Sequence, residues 1–189
     1  AQSGFEQLIK DFPKGALAGK SFLNLGWCFW NQDKIAESQV AFREAAQRLP
    51  ASEDQAVARF KVAETQFQQR DFTNAVQNFN RLLADYASSE PVRAKLFELA
   101  LYKILRAGIE MGDLTAASDA MGKILAWYPE SIYGDRSLLL LGQAMNRQGK
   151  PANARAIFLE FLKHFPNSSL VGEVHLAIAR TYVEEKDWA

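Results

Sequence analysis

The sequence contains few of the side chains that catalysis, metal binding or disulfide formation require. There is one cysteine, Cys28, and there are two histidines, His164 and His175. A single cysteine cannot form an internal disulfide, and Cys28 lies between Trp27 and Phe29 in a helical pattern, where we expect a small core residue. The three residues lack the spacing of a metal-ligand set, and no glycine-rich phosphate loop follows a strand pattern. We therefore expect no cofactor, no metal and no enzymatic activity.

The chain also lacks an excess of charge of either sign and lacks any long hydrophobic run. The chain has 22 Lys plus Arg and 22 Asp plus Glu, so its formal net charge is zero. Nucleic-acid binding depends on neutralising phosphates, and this balance argues against that class of partner. The longest aliphatic stretch, residues 138–141, is far too short to span a bilayer. We expect neither a nucleic-acid partner nor direct membrane insertion of this segment.

The sequence instead has a repeated signature of small and bulky apolar residues. A small residue is followed by a bulky one after four positions, an apolar one after seven and usually a proline after twelve, and the signature recurs after 37, 37, 42 and 37 residues. Offsets of four and seven place side chains on one helical face, and the proline ends the helix. The four columns are Ala1, Ser38, Ala75, Ala117 and Ala154; Phe5, Phe42, Phe79, Met121 and Phe158; Leu8, Ala45, Leu82, Ile124 and Phe161; and Pro13, Pro50, Ala87, Pro129 and Pro166.

A partner helix precedes each of these signature helices. Twelve residues before the small residue stand Gly26, Ala63, Leu105 and Gly142, three of which are small enough for a close helix crossing. A polar turn that suits helix capping separates each partner helix from its signature helix. A repeat of this length made of two helices predicts an all-α fold, a right-handed α-solenoid of antiparallel helix pairs with about ten helices.

These columns also predict the domain organisation, a single array. Residues 1–13 form the second helix of a repeat, residues 14–50, 51–87, 88–129 and 130–166 form full repeats, and residues 167–189 form the first helix of a truncated repeat, with Asp187 and Trp188 reaching its turn. The third repeat is five residues longer, and five residues would turn a helix about 140° beyond a full turn, so we expect the extra length at residues 88–93. Because Phe5 and Leu176 lack neighbours at the two ends, we expect a segment of a longer array.

The pattern resembles the tetratricopeptide repeat (TPR). The best matches are Leu25, Gly26, Phe29, Ser38, Phe42, Ala45 and Pro50, and then Leu141, Gly142, Ala154, Phe158, Phe161 and Pro166. The resemblance implies a non-catalytic scaffold that binds a protein or peptide partner. The connections Tyr128-Pro129-Glu130-Ser131 and Phe165-Pro166-Asn167-Ser168 resemble the bacterial envelope subset, which includes outer-membrane assembly lipoproteins and periplasmic Tol–Pal-associated coordinators. That resemblance implies a periplasmic or envelope location, with the cytoplasm as the alternative.

The side of each partner helix beside its small contact residue should face the concave groove of a solenoid. The predicted groove residues are Lys20, Leu23, Trp27, Trp30, Phe60, Glu64, Phe67, Tyr102, Arg106, Arg136, Gln143, Arg147 and Arg180. Trp, Tyr and Arg dominate the binding energy of interfaces, and this stripe begins aromatic and ends polar. It would suit an extended peptide or partner helix with apolar anchors and an acidic stretch.

Three alternatives stay open at this point. Trp27 and Trp30 could belong to packing rather than to a ligand surface, because aromatic stripes are more often core. The array could serve as a structural spacer that self-associates through its open ends. It could also be the regulatory arm of a larger multidomain protein. The family's carboxylate-clamp class is not matched, because Trp27, Glu64, Arg106 and Gln143 stand where that class has Asn.

Overall fold

A computed structural model describes residues 1–185, which are almost entirely helical and contain no strand. The helices are α1 (Gln2–Asp11), α2 (Ala18–Trp30), α3 (Ile35–Arg48), α4 (Glu53–Gln68), α5 (Phe72–Asp85), α6 (Glu90–Val92), a π-helical turn (Arg93–Phe97), α7 (Glu98–Met111), α8 (Leu114–Trp127), α9 (Gly134–Arg147), α10 (Pro151–His164) and α11 (Val171–Glu184). Because α6, the π turn and α7 follow without a break, these residues form ten helical segments. The all-α prediction is confirmed. The turn predicted at Asp187 and Trp188 lies outside the described residues.

Short polar turns join the helices into pairs. The backbone N–H of Gln55 donates to Ser52 Oγ at 3.2 Å at the start of α4, and that of Ala116 donates to Asp113 Oδ1 at 3.0 Å at the start of α8. These side chains satisfy donors that the first turn of a helix leaves free. Gly112 and Gly149 have φ of +74° and +71°, the left-handed conformation in which glycine ends a helix without strain. The residues between the repeat columns therefore fold as the turns that the sequence predicts.

The chain divides into two compact units, residues 1–103 and residues 104 onward, with the boundary inside α7. In the first unit α1 packs on α2, α2 on α3, α3 on α4 and α4 on α5. In the second, α8 packs on α9, α9 on α10 and α10 on α11. Each predicted full repeat contains one helix pair, whereas the prediction that the chain is part of a longer array stays a prediction.

The small and bulky columns of the signature meet in the core. A Cβ atom added to Gly26 would lie 2.6 Å from the Phe42 ring, and one added to Gly142 would lie 2.4 Å from the Phe158 ring. Both phenylalanines are fully buried. The glycine of a partner helix thus forms the floor on which the ring of the following signature helix rests, so the repeat column is a packing contact.

The extra length of the third repeat begins within the predicted region, residues 88–93, but it is helical, whereas we expected a longer connection because a longer helix would lose its facing. The helix begins at Glu90, and the π turn follows at once. Val92 and Phe97 are 1% and 2% exposed although five residues in an α-helix would put them about 140° apart. A π turn takes up one residue more than an α turn, so both side chains reach the core.

None of the helices within residues 1–185 has the length and apolarity that crossing a bilayer requires.

Candidate functional site

The C-terminal half of α2 brings two tryptophans to the surface of the first unit, beside α4. The ammonium nitrogen of Lys61 on α4 lies 3.9 Å from the centroid of the Trp30 ring and 4.4 Å from that of Trp27. An ammonium group over an indole face is attracted by the negative charge of the ring face, by about 0.5–2 kcal/mol depending on its exposure. Lys61 therefore holds both partly exposed rings in a fixed orientation.

The same lysine continues into a charged cluster on α4 and α7. Lys61 Nζ lies 2.7 Å from one carboxylate oxygen of Glu64, and Lys103 Nζ lies 3.1 Å from the other. Glu64 is only 8% exposed, and a buried carboxylate is tolerated where it is paired in this way. Lys103 Nζ also lies 4.9 Å from the centroid of the Phe67 ring.

We call these six residues the aromatic–lysine face; they are Trp27, Trp30, Lys61, Glu64, Phe67 and Lys103. Two lysines and one carboxylate leave this face with one net positive charge. Each lysine bridges an aromatic ring and the same carboxylate, so the three rings and the charge form one connected surface. It can contact apolar groups with its rings and attract a negative charge with its lysines.

Four of the residues predicted for the groove belong to this face, and three others lie beneath the surface. Leu23, Phe60 and Tyr102 are buried. Leu23 packs with Phe42 in the core, and the Phe60 ring lies 5.3 Å from that of Phe79. These residues support the surface from below. Lys20 is exposed and its Nζ lies 3.4 Å from Asp54 Oδ2.

The second unit brings together another part of the predicted set. Gln143, Arg147 and Arg180 line a cleft of about 370 Å³ between α9 and α11. Gln143 Nε2 donates to Glu173 Oε1 at 3.0 Å across this cleft, and Asn146 Nδ2 donates to Glu184 Oε1 at 2.8 Å. Arg106 and Arg136 are exposed and do not line it. The binding role of all thirteen predicted residues stays a prediction.

Sequence reasoning missed Lys61 and Lys103, which connect the aromatic–lysine face. Both stand two residues before the small contact column, in front of Ala63 and Leu105, so the repeat alignment contained the signal. The stripe used for the prediction lies one residue to the side of them, at Phe60 and Tyr102. A lysine side chain is long enough to lie over the rings of neighbouring residues, and the prediction considered only the residues of the stripe itself.

A larger cleft was also missed, between α3 and α5 with α4 as its floor. It has a volume of about 510 Å³. It is lined by Arg43, Ala46, Gln47, Gln55, Arg59, Val62, Gln66, Asn78, Arg81, Leu82 and Asp85. At one end Tyr86 donates its hydroxyl to Gln55 Oε1 at 2.7 Å, and burial raises the pKa of Tyr86 above its ordinary value. Burial thus favours the neutral hydroxyl over the phenolate, and its hydrogen bond orients the Gln55 amide.

Among residues 1–185 there is no cluster of three or more His, Cys, Asp and Glu side chains that could bind a metal ion. Cys28 is partly buried in α2.

Comparison with known proteins agrees with the repeat pattern. The family model of the tetratricopeptide repeat matches residues 57–89 and 136–168. Each match covers most of one helix pair, α4 with α5 and α9 with α10. No curated protein matches the chain.

Several solved structures share the fold, and two of them are described as TPR proteins. A TPR protein from Parabacteroides merdae superposes with a TM-score of 0.70 and 16% identity, covering 99% of this chain and 66% of that one. MamA gives a TM-score of 0.69 with 13% identity, covering 92% of this chain and 85% of its own. YrrB, a TPR protein with an unusual peptide-binding site, gives 0.64 with 12% identity, covering 100% of this chain and 87% of its own. The chain therefore has the fold of the tetratricopeptide-repeat proteins, and two of its segments match that family by sequence.

Proposed function

We propose that this chain is a non-catalytic interaction scaffold that binds a peptide or a segment of a partner protein through the aromatic–lysine face. One observation carries the proposal: three partly exposed rings, those of Trp27, Trp30 and Phe67, are held by two lysines that share one buried carboxylate. Rigid aromatic side chains lose little conformational entropy on binding and dominate interface energies. A surface of this kind is preorganised for ligand binding.

The chemistry of the face favours a ligand with apolar anchors beside an acidic residue. The ring edges and the outer ring surfaces offer apolar contact area, whereas the net positive charge of Lys61, Glu64 and Lys103 attracts a carboxylate. YrrB shares the fold and has a peptide-binding site, which supports a peptide as the ligand. The cleft at Gln143, Arg147 and Arg180 in the second unit suits an acidic ligand less well, because Glu173 and Glu184 also line it and balance its two arginines.

The proposal is tested by peptides selected from a random library on the intact chain. We expect Trp30→Ala to weaken the binding of a selected peptide by about thirtyfold, or about 2 kcal/mol, because an aromatic anchor is lost. Trp127→Ala is the matched control, since Trp127 on α8 is exposed and lies outside the face. Calorimetric titration of both variants against the same peptide provides the comparison.

Trp30 is a better test residue than Trp27. The Trp27 ring packs edge-on against the buried Phe42 ring with centroids 5.6 Å apart, so truncation of Trp27 also leaves a core cavity. Equal affinities of the Trp30→Ala and Trp127→Ala variants, both with unchanged helicity, would reject the aromatic–lysine face as the binding surface.

A second candidate function is self-association through α11. Leu176, Tyr182 and Val183 on this helix are exposed, and exposed apolar side chains on one helix are typical of a contact surface. Light scattering over a range of protein concentrations separates the two candidates. A monomer at every concentration would exclude self-association and leave peptide binding unaffected.

We further propose that the scaffold acts in the bacterial envelope. The support is the resemblance of the connections after Tyr128 and Phe165 to those of envelope TPR proteins. Fractionation of cells that express the full-length protein tests this, and recovery in the cytoplasmic fraction alone would contradict it.

A further inference from the structure

We propose that the cleft between α3 and α5 is a second binding site, which takes an extended acidic peptide segment. This cleft is separate from the aromatic–lysine face. Gln66, at its floor, follows Glu64 by two residues, which is about 200° around α4. The two surfaces therefore lie on opposite sides of the same helix and can be occupied independently.

The charge of the cleft is strongly unbalanced for a chain whose net charge is zero. Three arginines line it, Arg43, Arg59 and Arg81, against one carboxylate, Asp85. Arg59 Nη1 lies 2.5 Å from Asp85 Oδ2, so these two charges neutralise each other. Arg43 and Arg81, on opposite walls, are exposed and form no ion pair with any residue from 1 to 185. Two guanidinium groups thus remain to bind carboxylates, for which their planar donors are suited.

The floor of the cleft is a built polar surface. Gln66 is only 7% exposed, and its Oε1 accepts a hydrogen bond from Asn78 Nδ2 at 2.7 Å. Asn78 also lines the cleft, so the two amides form a hydrogen-bonded polar floor. The N–H groups that this bond does not use can donate to a ligand carbonyl or carboxylate. Gln55, by contrast, already uses its amide for Ala46, Leu49 and Tyr86.

The length of the cleft favours a peptide over a small anion. Its floor extends along α4 from Gln55 to Gln66, eleven residues apart, which is about 16 Å at the rise of an α-helix. An extended chain covers that distance with about five residues. A volume of about 510 Å³ lies within the range of ligand sites, whereas one phosphate or one glutamate would contact only a part of it.

The test measures binding of dye-labelled hexaglutamate with blocked termini to the intact chain, by fluorescence anisotropy at low ionic strength. We expect the double variant Arg43→Gln, Arg81→Gln to weaken binding by at least about tenfold, because both unpaired cations are lost. The control is Lys95→Gln, Lys123→Gln, which removes the same charge from two exposed lysines outside the cleft. It should change the affinity by less than about twofold.

A gain of affinity provides an independent readout. Asp85→Asn removes the one carboxylate of the cleft and releases Arg59 from its ion pair. We expect it to tighten hexaglutamate binding by about threefold, since a third cation becomes available. Structural damage would weaken binding, so a loss of affinity in a folded Asp85→Asn variant would contradict the site.

Competition experiments identify the class of ligand. Inorganic phosphate or free glutamate that displaces hexaglutamate at similar concentrations would overturn the peptide proposal in favour of a small-anion site. Equal losses in the arginine and lysine double variants, or no binding of hexaglutamate, would overturn the site. Trp30→Ala should leave hexaglutamate binding unchanged, and a parallel loss would show that the ligand uses the aromatic–lysine face instead.

Discussion

At the residue scale, the contact between a glycine and a phenylalanine sets how closely the helices of the first and fourth repeats pack. Gly26 with Phe42 and Gly142 with Phe158 follow this rule, and the third repeat changes both partners at once. Leu105 stands in the glycine position and Met121 in the phenylalanine position, and both are buried. A flexible methionine can adapt to a bulky neighbour where a rigid ring cannot.

In the third repeat the close contact between the two helices occurs at a different glycine, Gly108. A Cβ atom on Gly108 would lie 2.9 Å from the Asp113 carbonyl oxygen and 3.2 Å from Ala117 Cβ. The third repeat therefore has its glycine three residues after Leu105, at the point where α7 contacts the start of α8. In the first and fourth repeats the glycine accommodates an aromatic ring instead.

We predict that Gly142→Ala lowers the free energy of unfolding by about 1–3 kcal/mol, because the new methyl group overlaps the buried Phe158 ring. The matched control is Gly122→Ala in α8, where a Cβ would meet nothing within 4 Å. That change should raise the free energy by about 0.5–1 kcal/mol through helix propensity. Urea denaturation measures both. Equal shifts in the same direction would show that the contact does not limit packing.

Residue identity alone separated buried from exposed positions poorly. A stripe at helical spacing contains residues at its centre, such as Leu23 and Phe60, and residues at its margin, such as Trp30. Whether a side chain emerges depends on how the next helix covers it, which no single helix encodes. The cleft between α3 and α5 was missed for the same reason, since three helices contribute residues to it.

At the element scale, the π turn explains how one partner helix is longer than the others and still packs. If the π turn absorbs one of the five extra residues, the remaining four rotate the helix by about 40° beyond a full turn instead of about 140°. Val92 and Phe97 then share the buried side. The sequence-based argument considered a regular α-helix only, which is why it placed the extra length in a connection.

Deletion of Lys95 tests this account. Lys95 is exposed within the π turn, and its removal would leave Val92 and Phe97 four positions apart in a regular α-helix, on nearly the same side. We expect the free energy of unfolding to change by less than about 1 kcal/mol, the size of an ordinary surface change. Deletion of Arg106 in α7 should cost at least about 3 kcal/mol, because it rotates one half of the helix by about 100° against the core. Similar losses in both variants would contradict a bulge that absorbs one residue.

At the scale of the whole molecule, the repeat pattern predicted the fold class because it is local and recurs. The helices, their polar turns and the small-to-bulky contacts all follow from spacings within about forty residues. The division into two compact units was not predicted, although its boundary in α7 lies in the third repeat, which differs from the others in length and in its Leu105 and Met121 columns. The aromatic–lysine face was predicted in part, because its aromatic residues lie on the expected stripe and its lysines do not.

The central claim is that the aromatic–lysine face binds a peptide segment. The most direct measurement is amide hydrogen exchange of the intact chain, with and without a library-selected peptide. Ligand binding suppresses local opening, so we predict slower exchange at residues 23–30 and 60–68. Slower exchange confined to α3 and α5, or none in α2 and α4 when the peptide is saturating, would contradict the claim.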